Sequence, residues 1–304
     1  MKSVSAIIVV KNNPRHLFES LDSIKNIVSE IIIGDIDIGN DYRKKLLENK
    51  KIRIVKLHSI TPFADLVKED LKEQAKGEYI LYLDPDEIFP TALISYLLSI
   101  INKYDYFLFP RKNIIFGKWI EHSRWWPDYQ FRLFKKNSVI WPKVLHPIPK
   151  GKGKEFRFEA SEENSILHYN YDNLDQFIEK ATRYAKSEAE SFVQKKENYT
   201  LRQSLQKSLS EFIGRFFSSE GYKDGIHGFV LSVLQMFYYF LVYFYYWEKK
   251  KYLNIEKDIP QTYQTFANNL HLETNFWLIK KNLVSASGKI KLKIQNKILK
   301  LFGS

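Results

Sequence analysis

Three carboxylates stand close together in the sequence Asp84-Pro85-Asp86-Glu87, directly after an apolar run at residues 79–83. An apolar run of this length is typical of a buried strand, so the carboxylates are expected where that strand ends. Such neighbours repel one another unless a cation lies among them, and oxygen ligands favour Mg²⁺ or Mn²⁺ shared with substrate phosphates. The sequence therefore offers a candidate metal site, with an acidic turn that caps the next helix as the alternative.

The elements that position these carboxylates alternate along the first third of the chain. Apolar runs typical of strands occur at residues 4–10, 30–36, 52–57, 78–83 and 104–109. Amphipathic segments between them predict helices, one of which starts near Thr61 and closes at Gly77. This order predicts an α/β fold with a mainly parallel sheet covered by helices on both faces. Ligands bind beyond the carboxyl ends of such strands, at residues 11–13, 34–41, 58–61 and 84–87.

Composition excludes several classes of protein. The chain has 304 residues, 44% of them hydrophobic and 27% charged, which predicts one large or two small folded domains rather than disorder. It has no cysteine, which excludes a disulfide scaffold, a zinc ribbon, an iron–sulfur site and a thiol nucleophile. The first residues lack the pattern of an export signal, so we expect a cytoplasmic protein.

The net charge of +12 is concentrated at one end of the chain. No acidic residue follows Glu273, whereas seven lysines do. A nucleic-acid enzyme would distribute basic residues around a groove, so no nucleic-acid partner is expected. The segment 289–302 mixes lysine with isoleucine, leucine and phenylalanine, which suits an anionic membrane surface. We therefore expect peripheral attachment to the inner face of the cytoplasmic membrane, with a solvated terminal helix as the alternative.

Residues 228–247 form an uncharged stretch in which ten of the twenty residues are aromatic. The length satisfies the criterion for a transmembrane helix, but the lysines at 249–251 would then lie outside, against the positive-inside rule. We expect a helix packed partly on the catalytic domain and partly on the membrane or a second subunit. A true membrane span is an alternative for this helix, and a homo-oligomer could form through the C-terminal helices.

Several short motifs follow one another in order along the chain. The N-terminal strand ends in Lys11-Asn12, and the helix closed by Gly77 precedes the strand that leads to Asp84 and Asp86. Further motifs are Phe109-Pro110-Arg111, Trp126-Pro127-Asp128, His146-Pro147, Leu167-His168-Tyr169, Arg183-Tyr184 and Gly221-Tyr222-Lys223-Asp224-Gly225. Taken in order, these motifs resemble the family 2 glycosyltransferases, whose nucleotide-sugar-binding fold is called GT-A. Over roughly residues 3–250 the set is similar to the bacterial subgroup that includes lipopolysaccharide-core glucosyltransferases.

The resemblance implies a nucleotide-sugar site. Lys11, Asn12 and Asp35 match positions that hold the nucleotide base. The loop at residues 35–41 is one residue longer than the family pattern, so Asp37 could replace Asp35. Lys68 matches a basic residue that contacts a donor phosphate, with an exposed helical lysine as the alternative.

The resemblance also implies a metal site and a reaction. Asp86 is the direct ligand of Mn²⁺ or Mg²⁺, Asp84 approaches the ribose or a metal-bound water, and His168 is a further metal ligand or a structural histidine. The reaction is displacement of a nucleoside diphosphate from the anomeric carbon, with the cation offsetting charge on the leaving group. Asp128 is the expected base, with a turn cap or an ion pair to Arg132 as the alternative.

Side chains with roles left unassigned are expected to line the cleft. They are Arg111, Arg124 and His146, together with Trp125 and Trp126, which could stack on a sugar ring or pack in the core. We expect a catalytic domain at residues 1–200, with a nucleotide-sugar half at 1–110 and an acceptor half at 111–200, and a helical extension at 201–304.

The sequence thus predicts an inverting, metal-dependent glycosyltransferase. The donor is a nucleotide-sugar, with a UDP-sugar favoured, and the acceptor is a cell-surface glycan or lipid-linked acceptor of the lipopolysaccharide-core type. Protein or peptide glycosylation on the same fold, and an inactive GT-A protein that binds a membrane surface, are the alternatives.

Overall fold

The computed structural model describes residues 3–57, 66–142 and 149–302. The strands are β1 (Val4–Lys11), β2 (Glu30–Ile36), β3 (Ile52–Lys56), β4 (Tyr79–Tyr82), β5 (Glu87–Ile88), β6 (Tyr106–Phe109), β7 (Arg111–Ile115), β8 (Lys118–Trp119), β9 (Gln130–Lys135), β10 (Val139–Ile140), β11 (Lys150–Gly151), β12 (Glu155–Arg157) and β13 (Ile166–Tyr171). The α-helices are α1 (Leu17–Ile24), α2 (Asn40–Leu47), α3 (Lys68–Glu73), α4 (Ile94–Ile100), α5 (Leu174–Gln194), α6 (Leu201–Ile213), α7 (Ile226–Lys249), α8 (Ile259–Lys280) and α9 (Ala286–Phe302).

The chain folds into two compact units. The first comprises Met1–Ile114 and Trp126–Asn170, and the second comprises Ile115–Trp125 and Tyr171–Ser304. Helix α5 belongs to the second unit, whereas the boundary expected from the sequence lies near residue 200. The sequence pattern does not reveal this difference. Helix α5 belongs to the second unit because it packs against α7.

The first unit is built on a seven-stranded sheet in the order β12-β6-β9-β4-β1-β2-β3. All neighbours are parallel except β9, which runs antiparallel to both β4 and β6. Alternate side chains of β1 enter two cores: Val4, Ala6 and Ile8 pack with α1, α2 and α4, and Ile7 and Val9 pack with α3. Burial on both faces explains why these strands read as continuous apolar runs.

A smaller sheet brings a distant segment beside the end of β4. Strand β5 pairs antiparallel with β13, which places His168 opposite Glu87. The backbone N–H of Tyr169 donates to the carbonyl of Asp86 at 2.9 Å. Strand β7 lies next to β13 in the same sheet. Residues more than 80 positions apart therefore meet at the carboxyl end of β4.

The second unit consists mainly of helices. Ala185 and Ala189 of α5 let Val242, Tyr243 and Tyr246 of α7 approach closely in one buried cluster. A second cluster joins α6 to α8. Helix α7 is the one helix among the described residues that is long and apolar enough to cross a membrane, and 28% of its most apolar window is buried. One helix that passes this test is weak evidence for a span.

A close backbone approach explains the glycines before α7. A Cβ atom at Gly228 would lie 1.8 Å from the carbonyl oxygen of Gly221. The buried carboxylate of Asp224 accepts from the backbone N–H groups of Glu121 and His122, at 3.3 and 2.9 Å. This motif, which contributed to the family resemblance, therefore holds the second unit together.

The fold class expected from the sequence is confirmed: an α/β protein with a mainly parallel sheet, helices on both faces and a helical C-terminal region. The antiparallel β9 within the sheet was not expected. The helix start expected near Thr61, the segment at 58–61 and His146 lie outside the described residues.

Replacing Gly228 with alanine should lower the free energy of unfolding by about 3 kcal/mol or more, because the added methyl group meets backbone that cannot rotate away. Thermal unfolding followed by circular dichroism measures the change. Gly288→Ala in α9 is the control: its nearest new contacts are at 3.3 Å and alanine favours a helix, so a change within about 1 kcal/mol is expected. Equal melting of the two variants would contradict the close approach.

Candidate functional site

The loop after β4 is organised around a buried arginine. Arg132, on β9, is 2% exposed and donates through Nη2 to Asp84 Oδ2 at 2.7 Å and to Glu87 Oε1 at 2.5 Å. A buried guanidinium must be compensated, and two carboxylates on one turn provide this. Asp84 and Glu87 therefore point towards the sheet.

A second arginine completes the ion-pair network. Arg111, the first residue of β7, donates through Nη1 to Glu87 Oε1 at 3.0 Å. Its Nε and Nη2 both donate to Asp128 Oδ2, at 2.8 and 2.5 Å. The repulsion expected among the three carboxylates is thus relieved at Asp84 and Glu87 by arginines of the protein itself.

Lys68 is the third cation of this cluster. It is 6% exposed, its Nζ lies 3.6 Å from Asp84 Oδ1, and it sits 4.7 Å from the ring centroid of Trp141. The alternative of an exposed helical lysine is therefore wrong. Burial opposes ionisation of Asp84, but Arg132 and Lys68 outweigh it and hold the pKa of that carboxyl well below its ordinary value.

Asp86 points away from this cluster and towards His168. Its carboxylate is one-third exposed, and its Oδ2 lies 3.6 Å from Nε2 of the buried His168. Nδ1 of His168 lies 2.7 Å from Oδ1 of Asn113, which can only accept, so Nδ1 carries a proton. In the neutral ring Nε2 is then an acceptor that faces a carboxylate, an arrangement that a proton or a metal cation between them stabilises.

Asn113 joins the two halves of the site. Its amide Nδ2 donates to Asp128 Oδ2 at 3.2 Å, which fixes the direction of the amide and leaves Oδ1 for His168. Asn113 is completely buried on β7. A metal-binding histidine usually donates its other ring N–H to an oxygen held in this way.

The donor set fits Mg²⁺ or Mn²⁺ as a partial coordination shell. Among the described residues no three His, Cys, Asp or Glu side chains converge on one point. Mg²⁺ usually takes one or two protein ligands and completes its shell with water and substrate phosphates. Asp86 and His168 therefore fit a cation that arrives with a phosphate-bearing substrate, and they do not form a complete site by themselves.

Asp128 is held as a carboxylate with one oxygen oriented. Burial raises its pKa, but Arg111, Asn113 and Gln130 outweigh this and keep the pKa below the ordinary value. Oδ1 accepts from Gln130 at 2.7 Å and, among the described residues, retains capacity for a second hydrogen bond. The ion pair to Arg132 considered from the sequence is not seen, because Arg111 occupies that place.

The residues expected to hold a nucleotide base lie at the ends of β1 and β2. Lys11 is exposed and pairs in register with Ile36, and the exposed Asn12 has a positive φ of 57°. Asp35 is buried: its carboxylate accepts from the backbone N–H of Ile38 at 2.7 Å and from Arg43 at 2.6 Å. Asp37 is the exposed carboxylate of this turn.

Two of the remaining expected residues, Arg124 and Trp125, belong to the second unit. Arg124 pairs with Glu211 at 3.2 Å and Trp125 packs against the guanidinium of Arg215, all within the second unit. Trp126 is half-buried. His146 falls in the segment that is not described.

The sequence reasoning missed Asn113 and the structural role of Glu87. A signal for Asn113 existed: in the strand Arg111-Lys112-Asn113-Ile114-Ile115, alternation places Asn113 on the same face as Ile115, and a buried amide requires partners. Glu87 had no comparable signal, because its partners come from two strands distant in the sequence.

Comparison with known proteins gives distant relatives. No protein-family model matches the chain. An uncharacterized glycosyltransferase of Rickettsia typhi is 23% identical over 252 residues, which cover 78% of this chain and 84% of that protein. An uncharacterized glycosyltransferase of Rickettsia felis is 22% identical over 283 residues, covering 88% and 98%. These names agree with the enzyme class expected from the sequence.

Two solved structures show weak likeness. S. aureus TarS 1–349 is 12% identical, covers 84% of this chain and 94% of that chain, and has a TM-score of 0.43. Glucosyl-3-phosphoglycerate synthase from Mycobacterium tuberculosis, in complex with Mn²⁺ and UDP-glucose, is 15% identical, covers 38% and 44%, and has a TM-score of 0.29. Likeness at these TM-scores carries no argument about this chain.

Replacing Arg132 with methionine should lower the free energy of unfolding by about 3–5 kcal/mol, because Asp84 and the fully buried Glu87 lose a buried partner. Urea unfolding followed by circular dichroism measures this. Arg157→Met, which breaks an exposed ion pair with Glu155 on the same sheet, should cost about 1 kcal/mol or less. Similar costs for both variants would show that Arg132 does not organise the loop.

Replacing Asn113 with leucine should weaken Mn²⁺ binding about 10–100-fold, because His168 loses the oxygen that orients its ring. Electron paramagnetic resonance of free Mn²⁺ in a titration measures the dissociation constant without any sugar transfer. Asn170→Leu is the matched control: Asn170 Nδ2 donates to Asn113 Oδ1 at 3.5 Å, a longer contact than the 2.7 Å between that oxygen and Nδ1 of His168. An unchanged dissociation constant in Asn113→Leu would show that Asn113 does not position the His168 ring for metal binding.

Proposed function

We propose that this protein is a metal-dependent, inverting glycosyltransferase of the GT-A type, related to family 2, that transfers a sugar from a nucleotide-sugar donor. The observation that carries the proposal is the facing pair Asp86 Oδ2 and His168 Nε2, 3.6 Å apart where the buried strand β4 ends. The names of the Rickettsia relatives support the same enzyme class.

The charge balance of the cluster supports a cation at this pair. Four carboxylates, on Asp84, Asp86, Glu87 and Asp128, stand against three protein cations, on Lys68, Arg111 and Arg132. Asp84, Glu87 and Asp128 each contact one or more of these cations, whereas Asp86 Oδ2 faces the ring nitrogen Nε2 of His168 at 3.6 Å. A divalent cation there would offset the charge of a diphosphate leaving group.

The ends of the first strands support the position proposed for the donor. Lys11 and Asn12 are exposed at the end of β1 and Asp37 at the end of β2, so they can bind a nucleotide base, whereas Asp35 is occupied by Arg43. Lys68 beside Asp84 provides positive charge close to the expected diphosphate. We infer a UDP-sugar as the favoured donor from the motif resemblance.

Asp128 acts as the base in this proposal. The acceptor hydroxyl transfers its proton to Asp128 Oδ1 while its oxygen forms a bond to the anomeric carbon. The bond from that carbon to the diphosphate oxygen breaks, and the electron pair leaves with the nucleoside diphosphate. Arg111 holds Asp128 ionised and oriented for this step. A single displacement of this kind inverts the configuration of the sugar.

The acceptor class rests on the motif order alone. The resemblance to lipopolysaccharide-core enzymes favours a cell-surface glycan or a lipid-linked acceptor. Acceptor screening distinguishes this class from peptide or protein acceptors.

A donor panel of UDP- and GDP-sugars, tested with Mn²⁺, Mg²⁺ or EDTA, should reveal donor hydrolysis or transfer that requires metal. Asp86→Ala should lose metal-dependent turnover. Asp128→Asn should lower kcat about 10²–10⁴-fold while calorimetry shows unchanged donor binding. Asp22→Asn, at an exposed ion pair with Lys25, is the control and should retain activity. Full activity of Asp86→Ala in EDTA would exclude the metal role.

A further inference from the structure

Helix α9 packs on α8 through a side that carries both polar and apolar residues. Asn296 Oδ1 accepts from Asn275 Nδ2 at 2.7 Å, and Asn275 is 4% exposed. Leu292, Gln295 and Leu299 lie on the same side of α9 as Asn296 and are partly buried. This side faces the protein.

The opposite side of α9 is aliphatic and exposed. Ile290, Ile294, Ile298 and Leu301 are 62, 55, 53 and 63% exposed. Their spacing of four, four and three residues places them in one stripe along the helix. The helix of 17 residues is about 25 Å long, so the stripe extends over most of that length.

An ordinary surface helix buries its apolar face and exposes its polar face. On α9 the side that faces the protein carries Leu292 and Leu299 together with Gln295 and Asn296, and four further large aliphatic side chains face outward. Packing within the second unit therefore does not account for the stripe. An apolar stripe of this size on a surface marks an interaction site.

The charge beside the stripe indicates which kind of partner binds there. Lys291, Lys293 and Lys297 are exposed and flank the aliphatic residues. No acidic residue follows Glu273 in the sequence, so nothing on α9 offsets these charges. A second copy of α9 would bring lysines against lysines, whereas an anionic bilayer surface satisfies both the lysines and the aliphatic stripe.

We propose that α9 is a membrane-docking helix that lies in the plane of an anionic phospholipid surface. The stripe of Ile290, Ile294, Ile298 and Leu301 enters the boundary between headgroups and acyl chains, and the flanking lysines contact the headgroup phosphates. Asn296 anchors the other side of the helix on α8. The proposal does not depend on the sugar-transfer activity.

Flotation of the full chain with vesicles tests the proposal. Binding is expected to vesicles that contain phosphatidylglycerol and to be much weaker with phosphatidylcholine alone. The double variant Ile290→Ser/Ile294→Ser should bind anionic vesicles at least about tenfold more weakly, because two of the four inserting side chains are removed. The triple variant Lys291→Gln/Lys293→Gln/Lys297→Gln should bind anionic vesicles more weakly, by about fivefold for each lysine replaced. Its remaining binding should no longer depend on salt concentration.

Leu47→Ser/Ile140→Ser is the matched control, because these residues are 56 and 65% exposed, within the range of the stripe or slightly above it, but lie in the first unit. It should bind vesicles as the unchanged protein does, and all variants should keep the same circular dichroism spectrum. Failure of the unchanged protein to bind anionic vesicles would overturn the proposal. The proposal would also be overturned if the unchanged protein did not bind vesicles but self-associated, and if Ile290→Ser/Ile294→Ser abolished that self-association.

Discussion

Arg132 is a buried cation in the middle of the central sheet, and its compensation determines the loop that follows β4. Two carboxylates must turn inward to meet its guanidinium, and Asp84 and Glu87 do so from positions three residues apart. Asp86 lies between them on a tight turn and is directed elsewhere. One electrostatic requirement of the core thus turns Asp84 and Glu87 towards Arg132 and leaves Asp86 directed towards His168.

The hydrogen bonds around this carboxylate then follow from strand pairing. Strand β13 brings His168 opposite Glu87, and β7 brings Arg111 and Asn113 into the same cluster. Because Asn113 donates to Asp128, its oxygen must face His168, and the ring must present Nε2 towards Asp86. The candidate base and the candidate metal ligand are therefore held by one amide, so that a change at either end alters the other.

Sequence pattern was sufficient for features that depend on neighbours along the chain and failed where distant strands meet. Strand β2 and the start of α5 lie where apolar runs and helical spacing put them. The insertion of β9 between β4 and β6 has no local signal, and it is β9 that carries Arg132 into the core. The burial of Asp35 under Arg43 was missed for another reason: the two residues are eight positions apart, and the arginine reaches back to Asp35 from the next helix.

Charge is distributed differently in the two units. In the first unit the buried charges of Arg132, Arg111 and Glu87 meet one another, and Asp86 is directed towards His168. At the C-terminus the lysines of α9 have no acidic neighbours in sequence, and the aliphatic stripe beside them is exposed. A folded protein tolerates uncompensated charge and exposed apolar surface where a partner completes them. For this chain we propose different partners at the two places, a divalent cation and an anionic surface.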